Sequence, residues 1–523
     1  MIPPIVPAGR RARPAAAWLA ACLLLLGFLP SPLSAADPAP FGSSIAVDFS
    51  AIQRAIPALL FGQNLQPIDR GEGIIGADGS VDAEILGLAG EARVTSLRYP
   101  AGTAADYFHW WQAVGLHSRR PQQSTGYLGS FYSPVAGPDE FIRIAIALRA
   151  VPFITANTGT GSADEAAALA RFFKARGFPV VFWEVGNEIY FEGVGEGGLV
   201  GLPPNVYANR VIQYAAAIRQ EMPAAKVFAA AVIGPEESDS YWNAVVLGLA
   251  GSFIDGISVH NAYFPLYGYR PDRTVPPDEV LYRAMLGATA AVDRSLGVLE
   301  RQLDRLGRLI PIFITEYEGI FFPDPTIEDP ALTVRRNPTL ACALFDASVL
   351  QILIRHERVQ GAHHMSLAGE RFGSLVGVDQ GVRFRNPQFY VHHEYAKEAG
   401  NLLVKSVVEP GNAVFDSEPI RLLSPQHNVP MLDAIATRDP GDTNYALFVV
   451  NRSLDQPVSA MISTNLPAGV TGTLSVLSGP SYAARNNAAN PQRVALTTAA
   501  FAGGGAFTYS FPPASLTIFR WHR

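Results

Sequence analysis

Between Leu59 and Met365, short runs of Val, Ile, Phe and Ala alternate with longer stretches of helical period. Eight runs stand out: Leu59–Leu65, Val94–Tyr99, Val151–Asn157, Val180–Val185, Lys226–Val232, Gly256–His260, Ile310–Glu316 and Val359–Met365. Near-continuous apolar runs of this length predict strands buried on both faces, as in a parallel sheet. The stretches between them place apolar residues three and four apart. In Pro277–Leu309, residues Leu281, Met285, Val292, Leu296, Leu299, Leu303 and Leu306 form one helical stripe. Asp164-Glu165 ahead of Ala166–Ala170 reads as an acidic helix start. Repeated strand–helix units predict an α/β fold, a (β/α)8 TIM barrel over residues 59–402. A doubly wound open sheet is the alternative, weakened because no G-x-G-x-x-G follows the first strand.

Beyond about Leu403 the pattern shortens. Tyr445–Val450, Val458–Ser463, Thr471–Leu477, Phe507–Phe511 and Ser515–Trp521 are brief and separated by Pro, Gly, Asn and Ser. They predict a C-terminal antiparallel β-sandwich over residues 403–523. Ile45, Val47 and Phe49 also alternate, so the N-terminal segment 36–58 can lend that sandwich a strand at 43–50. Ala484–Gln492, rich in Asn and Ala, reads as a loop.

Composition sets the class. With 523 residues, 48% apolar and 16% charged, the chain is globular and long enough for two or three domains. Residues 1–35 read as a signal peptide: Arg10, Arg11 and Arg13 precede the apolar run Ala15–Leu29, and Leu33-Ser34-Ala35-Ala36 offers a cleavage site. That run falls short of the roughly 20 residues a membrane helix needs. The expectation is a secreted or periplasmic protein with no membrane contact after cleavage. Losing three Arg moves the formal charge from −6 to −9, which argues against nucleic acid and anionic membrane as partners. Only Cys342 then remains, so no intrachain disulfide forms.

In a barrel, chemistry sits where strands end on their carboxyl side. The first strand run ends in Asn64 and Gln66, the second in Arg98 with Asp106 and Trp110 beyond it, and the third in Asn157. The fourth, V-V-F-W-E-V-G-N-E, gives Asn187 and Glu188; the sixth gives His260 and Tyr263; the seventh, I-F-I-T-E-Y, gives Glu316. Polar groups at strand ends above an apolar barrel predict a sugar pocket. Two carboxylates across it suit glycoside hydrolysis, one protonating the leaving oxygen and one attacking the anomeric carbon. A Glu after a strand is ordinarily a helix cap or a solvated charge. That reading suits Glu188 poorly, since it follows an apolar run with Trp183; for Glu316, Glu318 is a competitor two residues on.

The chain resembles clan A glycoside hydrolases in these motifs, and the family 51 α-L-arabinofuranosidases most. W-E-V-G-N-E and I-T-E-Y resemble the acid/base and nucleophile motifs. S-L-R-Y-P-A-G-T-A-A-D-Y-F-H-W, N-T-G-T-G-S-A-D-E-A and D-G-I-S-V-H resemble the second, third and sixth strands of that family. The resemblance implies Glu188 as acid/base, Glu316 as nucleophile and Asn187 as ligand of the neighbouring sugar hydroxyl. It also implies that His260 and Tyr263 support the nucleophile, with Arg98 beneath the carboxylates keeping Glu316 charged while Glu188 stays protonated. The implied partner is an oligo- or polysaccharide, such as an arabinose-bearing hemicellulose, and family 51 enzymes often form homo-oligomers.

Three positions depart from the family pattern. Gln66 stands where a sugar-binding Glu is usual, His260-Asn261-Ala262-Tyr263 replaces His-Tyr-Tyr, and Thr315-Glu316-Tyr317 replaces Asp-Glu-Trp. They keep other retaining glycosidases open: a β-xylosidase, a galactanase-like enzyme, or a β-glucuronidase with Arg119 or Arg120 as the cation for a sugar carboxylate. A non-catalytic carbohydrate-binding barrel would be expected to have lost a carboxylate, and both are present. Trp110 and Trp111 read either as a stacking platform or as packing under a loop, and Tyr127, Phe131 and Tyr132 as outer-subsite candidates. Neither His363-His364 nor His392-His393-Glu394 has zinc spacing, so no metal and no cofactor is expected.

Overall fold

The computed structural model describes residues 42–523 apart from 77, 127–129, 192–200, 234–238, 261 and 370. The leader segment 1–35 and Tyr127 lie outside the described residues. The barrel strands are β1 Gly62–Asn64, β2 Ser96–Tyr99, β3 Val151–Ala156, β4 Phe182–Val185, β5 Lys226–Ala230, β6 Gly256–Val259, β7 Ile312–Phe322 and β8 Val359–His364. Each pairs in parallel with the next, and β8 returns to β1 through His363 opposite Gly62, closing the barrel. A helix follows each strand; the longest, Asp278–Arg305, buries the predicted Leu281-to-Leu303 stripe.

The alternation of strand side chains builds the inside of the barrel in tiers. Phe153, Phe182, Phe228 and Phe313 make an apolar floor, with ring centroids 4.7 Å apart for Phe228 and Phe313 and 5.4 Å for Phe153 and Phe313. Two residues further along the same strands come Thr155, Glu184 and Thr315, a buried polar tier. The period of two therefore turns an apolar plug into a hydrogen-bonding layer directly beneath the mouth.

Strand β7 runs past Glu316 to Phe322, six residues beyond the end predicted at Glu316. The reason is a partner the sequence did not announce. At its start β7 pairs with β6, Ile312 opposite Ile257; from Tyr317 onward it pairs with Ala262–Tyr267, Ala262 opposite Tyr317. The chain steps aside at His260 and resumes as an added strand. That extension raises a wall over one side of the mouth, where Ile320, Met365 and Phe372 pack with Tyr263 and Leu266.

Eight of the C-terminal strands and Ser43–Ala55 form one nine-stranded sheet that folds over itself like a sandwich, while Val414–Ser417 and Gln426–Pro430 pair apart from it as a hairpin. Ser43–Ala55 lies inside it, antiparallel to Leu402–Glu409 and parallel to Val458–Thr464, the one parallel pair in this sheet. The sheet rolls on itself: Phe507 and Tyr509, near one end, meet Phe501 and Phe519, near the other, at 5.6 and 5.2 Å. Ile45, Val47, Phe49, Phe511 and Trp521 fill the space inside. The outer face is buried too, since Phe448, Leu516 and Ile518 belong to the core of the barrel. Phe448 stacks on Tyr395 at 4.6 Å, and Arg520 reaches Glu398 at 2.5 Å and Glu394 at 3.2 Å. Burying one such ring contributes about 1.5–3 kcal/mol, so this face ties the sheet to the back of the barrel.

Candidate active site

Arg98 is the hub. It is fully buried, and its planar fork serves four partners: Nε to Glu184 at 2.7 Å, Nη1 to Asn64 and Glu316 at 3.0 Å each, and Nη2 to Asn187 Oδ1 at 2.7 Å. Asn64 turns its amide to the carbonyls of Thr315 and His364, at 2.9 and 3.0 Å. The ends of β1, β2, β4 and β7 are thus pinned through one guanidinium, a geometry that Lys could not reproduce. Glu184 completes the polar tier, accepting from Thr155 at 2.9 Å and Thr315 at 3.0 Å.

The two strand-end carboxylates meet over this hub. Oxygens of Glu188 and Glu316 and a nitrogen of His260 all lie within 4.8 Å of one another. His260 Nδ1 stands 3.1 Å from Glu188 Oε1 and 3.6 Å from Glu316 Oε2. Tyr263 donates its hydroxyl to the same Glu188 oxygen. Both residues expected to support Glu316 therefore engage Glu188 first. The offset between β6 and the added strand Ala262–Tyr267 brings them to that side.

Hydrogen-bond direction fixes the state of the imidazole. Thr315 donates to Glu184, so its oxygen is left to accept from His260 Nε2–H, 2.9 Å away. Nδ1 faces two carboxylates and must carry a proton as well. Burial would keep the ring neutral, but the charges of Glu316 and Glu188 outweigh it and raise its pKa. The buried set then holds two cations, Arg98 and His260, against three carboxyls. It is neutral when Glu188 and Glu316 share one proton. Burial, only partly offset by His260 and Arg98 and reinforced by the charge of Glu188, raises Glu316. Burial also acts on Glu188, yet the bonds from His260 and Tyr263 outweigh it and hold that group low. The shared proton is therefore favoured on Glu316 over Glu188. This reverses the expected order, because the cation Arg98 is already shared with Glu184, which it holds ionised against burial.

Loop geometry places the acid. Glu188 has φ 45°, a left-handed conformation costly for a side chain with a Cβ, reached two residues after Gly186 at φ 79°. A Cβ on Gly186 would stand 3.1 Å from Thr158 and 3.3 Å from Asp106. That closeness lets Asp106 grip the turn: Oδ2 accepts Asn187 N–H at 2.9 Å, and Oδ1 accepts Thr158 and Gly159 N–H at 3.0 and 3.2 Å. Burial pushes Asp106 up to about 7 despite these donors. Asp106 is thus a positioning residue beneath the mouth.

The other sequence candidates separate in the same way. Asn157 turns its amide into its own loop, taking Thr160 and Gly161 N–H at 3.0 Å, so it shapes the mouth and not the sugar contact. Trp110 packs on Phe172 at 4.9 Å and donates to Glu165 O, so it underlies a loop and forms no platform. Trp111 and Phe131 are exposed, while Tyr132 is buried. Gln66 lies at the end of β1, where a Cβ on Gly102 would come within 3.2 Å of its amide. Glu318 is fully buried with Oε1 bonded to Gly373 N–H, which removes it as a rival to Glu316. Arg120 is consumed by Glu140 at 3.0 Å and the Pro134 carbonyl at 2.9 Å, so it is no pocket cation. His363, His364 and His392 pair separately with Ser96, Asp346 and Gln63. Among the described residues, the one His/carboxylate group close enough to share an ion is Glu188, His260 and Glu316 itself.

Tyr190 went unremarked in the sequence. It is half-buried two residues after Glu188, and burial together with the charge of Glu188 raises its phenol well above the usual range. Its place in the turn closed by Phe191 N–H to Glu188 O, 3.1 Å, was the available signal.

Comparison with known proteins agrees with this architecture. The family model described as the alpha-L-arabinofuranosidase C-terminal domain matches residues 316–515. A probable alpha-L-arabinofuranosidase C of Aspergillus clavatus is 23% identical over 470 residues, covering 84% of this chain and 87% of that relative. The arabinose complex of alpha-L-arabinofuranosidase from Thermotoga maritima matches with a TM-score of 0.77 at 22% identity, covering 92% of this chain and 100% of that one. The GH51 arabinofuranosidase of Xanthomonas axonopodis pv. citri matches with a TM-score of 0.77 at 19% identity, covering 92% and 100%. At such identities the structural likeness is one of fold. Together with the matched family model and the curated relatives, it supports a glycoside hydrolase similar to the family 51 arabinofuranosidases.

Proposed function

We propose that the protein is an exported retaining glycosidase that releases α-L-arabinofuranosyl residues from a hemicellulose-type glycan. One observation carries the mechanism: Glu188 and Glu316 oxygens within 4.8 Å of each other, bridged by His260. Retaining enzymes hold their carboxyls about 5–5.5 Å apart, inverting ones about 6.5–9.5 Å, and only the shorter spacing fits. The relatives named as arabinofuranosidases support the sugar. The basic and apolar leader before residue 36 supports export.

In this mechanism substrate binding moves one proton. The glycosidic oxygen approaches Glu188 and needs an acid there, while the anomeric carbon needs an ionised Glu316. His260 Nδ1 lies between them, so it passes its proton to Glu188 and takes the one on Glu316. The pocket stays neutral throughout, which keeps the transfer cheap in a buried site. Glu316 then attacks, the C–O bond breaks, and Glu188–H protonates the departing oxygen. Water, deprotonated by Glu188, later releases the sugar from Glu316. Arg98 holds Asn187 by its oxygen, which leaves the amide N–H groups to bond the hydroxyl beside the anomeric carbon.

The test is hydrolysis of a panel of 4-nitrophenyl glycosides by the mature protein, with proton NMR of the first product anomer. Release from the α-L-arabinofuranoside with retention is expected. Inversion would sink the mechanism, and activity confined to another glycoside would sink the sugar. Gln66, in place of the usual Glu, favours such a second reading, another retaining glycosidase of the clan.

A further inference from the structure

The groups that meet over the Arg98 hub have the spacing of metal ligands. Glu188, His260 and Glu316 each offer one ligand atom, and the three atoms lie within 4.8 Å of one another. His260 Nδ1 stands 3.1 Å from Glu188 Oε1 and 3.6 Å from Glu316 Oε2. Nitrogen and oxygen ligands of a tetrahedral Zn²⁺, each about 2.0–2.2 Å from the ion, lie about 3.3 Å apart, between those two values. Glu316 is 4% exposed, and Arg98 fixes its Oε1 at 3.0 Å. Its Oε2 makes no hydrogen bond among the described residues; Nδ1, at 3.6 Å, is beyond bonding distance. The left-handed turn and the Tyr263 hydroxyl hold Glu188. The imidazole is oriented from behind, with Nε2 bonded to Thr315 at 2.9 Å and Thr315 donating to Glu184 at 3.0 Å. A histidine whose second nitrogen is tied back to a carboxylate in this way has the outer support that metal-binding histidines use.

From this arrangement we infer that the catalytic pocket is also a divalent transition-metal site, in which Glu188, His260 and Glu316 chelate a Zn²⁺-class ion that shuts the enzyme off reversibly. The ion takes the Nδ1 lone pair and one oxygen from each carboxyl. The Nδ1 proton and the proton shared by the carboxyls leave, so a dication enters without adding charge to the buried set. Both carboxyls are then spent on the metal, and neither can protonate a leaving oxygen or attack an anomeric carbon. Mg²⁺ and Ca²⁺ seek about six or more oxygen ligands, which three ligands including a nitrogen do not supply. The ion is an inhibitor and takes no part in the reaction. Its binding needs no assumption about the sugar; only its effect on turnover rests on the proposed glycosidase reading.

The experiment titrates Zn²⁺ into the full mature chain by calorimetry, without substrate, and follows hydrolysis of 4-nitrophenyl α-L-arabinofuranoside in parallel. One Zn²⁺ per chain is expected, with Mg²⁺ and Ca²⁺ at least about tenfold weaker. His260→Gln removes a ligand and should abolish the binding. Thr315→Val keeps all three ligands and loses only the support behind the ring, so it should weaken Zn²⁺ about 10–100-fold. His109→Gln, at the partly exposed His109–Glu165 pair, should leave the binding unchanged. In turnover Zn²⁺ should raise KM and spare kcat, and a chelator should restore the rate. Binding that survives His260→Gln, or that disappears in His109→Gln, would place the ion elsewhere and overturn the inference. So would Thr315→Val protein that binds as wild type does, Zn²⁺ that lowers kcat at unchanged KM, or wild-type protein that binds no Zn²⁺. His260-dependent binding by a chain silent on the arabinofuranoside would uphold the metal site and overturn the proposed sugar instead.

Discussion

His260 bonds to Glu188 and not to Glu316: its Nδ1 lies 3.1 Å from the first and 3.6 Å from the second. The difference is small, but it helps hold the pKa of Glu188 low while that of Glu316 is raised, and it makes the imidazole the path between them. Three residues standing on different strand ends thereby titrate as one unit.

The pH profile should show this directly. A neighbouring cation lowers carboxyl pKa values, so removing it raises them. In His260→Gln the acidic limb of kcat/KM, which reports ionisation of the carboxyl pair in the free enzyme, should move to higher pH. The rate at the optimum should fall as well, since the path for the proton is gone. An acidic limb left in place, with the rate reduced, would make His260 a structural residue only.

The roles of the two carboxyls separate by chemical rescue. Glu188→Ala should lose about 10²–10⁴-fold on substrates whose leaving group needs a proton, and far less on activated aryl glycosides. Added azide should accelerate it, yielding a glycosyl azide of retained configuration. Glu316→Ala should be silent on both, with azide giving the inverted product. The opposite pattern of anomers would exchange the assignments.

Much of this site is legible in the sequence, for a physical reason. A strand buried on both faces must be apolar, so polar residues at its end stand out, and that alone marks Arg98, Asn187, Glu188, His260 and Glu316. What it hides depends on where loops turn. Asp106 and Asn157 look equivalent on paper, yet the turn at Gly186 brings Asp106 against Asn187 N–H while Asn157 closes its own loop. The added strand Ala262–Tyr267 continues β6 after a single break, so the extension of β7 has no separate signature. The rolled sheet is hidden likewise, because strand pairing between Ser43–Ala55 and Val458–Thr464 spans the whole barrel in sequence.

Arg98 should matter more to stability than any exposed ion pair. Arg98→Met leaves Glu184 buried at 1% exposure with its strongest partner gone, a loss of about 3–5 kcal/mol when one half of a buried pair is removed. Adding Glu184→Gln should recover part of it, since the orphan charge disappears. Denaturant midpoints of the two variants check this. A double variant no more stable than the single one would show that the burden lies elsewhere, in Asn64 or Asn187.

Asp106 makes a prediction with a definite sign. Its folded pKa is raised from 3.8 to about 7, so the fold favours the neutral acid. That contribution is present below 3.8 and is lost as pH rises through 7. Asp106→Asn cannot titrate and turns an NH₂ toward one of three backbone N–H donors, costing about 1–3 kcal/mol. The stability gap between wild type and variant should therefore be widest in acid and narrow as pH approaches 8. A gap that widens with pH would mean the three N–H donors win over burial.

Thr315→Val tests the direction of the hydrogen bonds at little cost in shape. The hydroxyl links the cation His260 to the anion Glu184, at 2.9 and 3.0 Å. Valine keeps the volume and removes the link. Nε2–H would then face a methyl group, an unpaired donor that penalises the doubly protonated ring by about 1–3 kcal/mol. A neutral ring with its proton on Nδ1 escapes that penalty and still serves Glu188. His260 in the variant should accordingly titrate at lower pH than in wild type, visible in the NMR shifts of the ring. The alkaline limb of kcat should fall with it, because the proton that Glu188 must hold is drawn from the ring. An unchanged titration would mean that Thr315 donates to His260 and not to Glu184, and that the ring is neutral at rest.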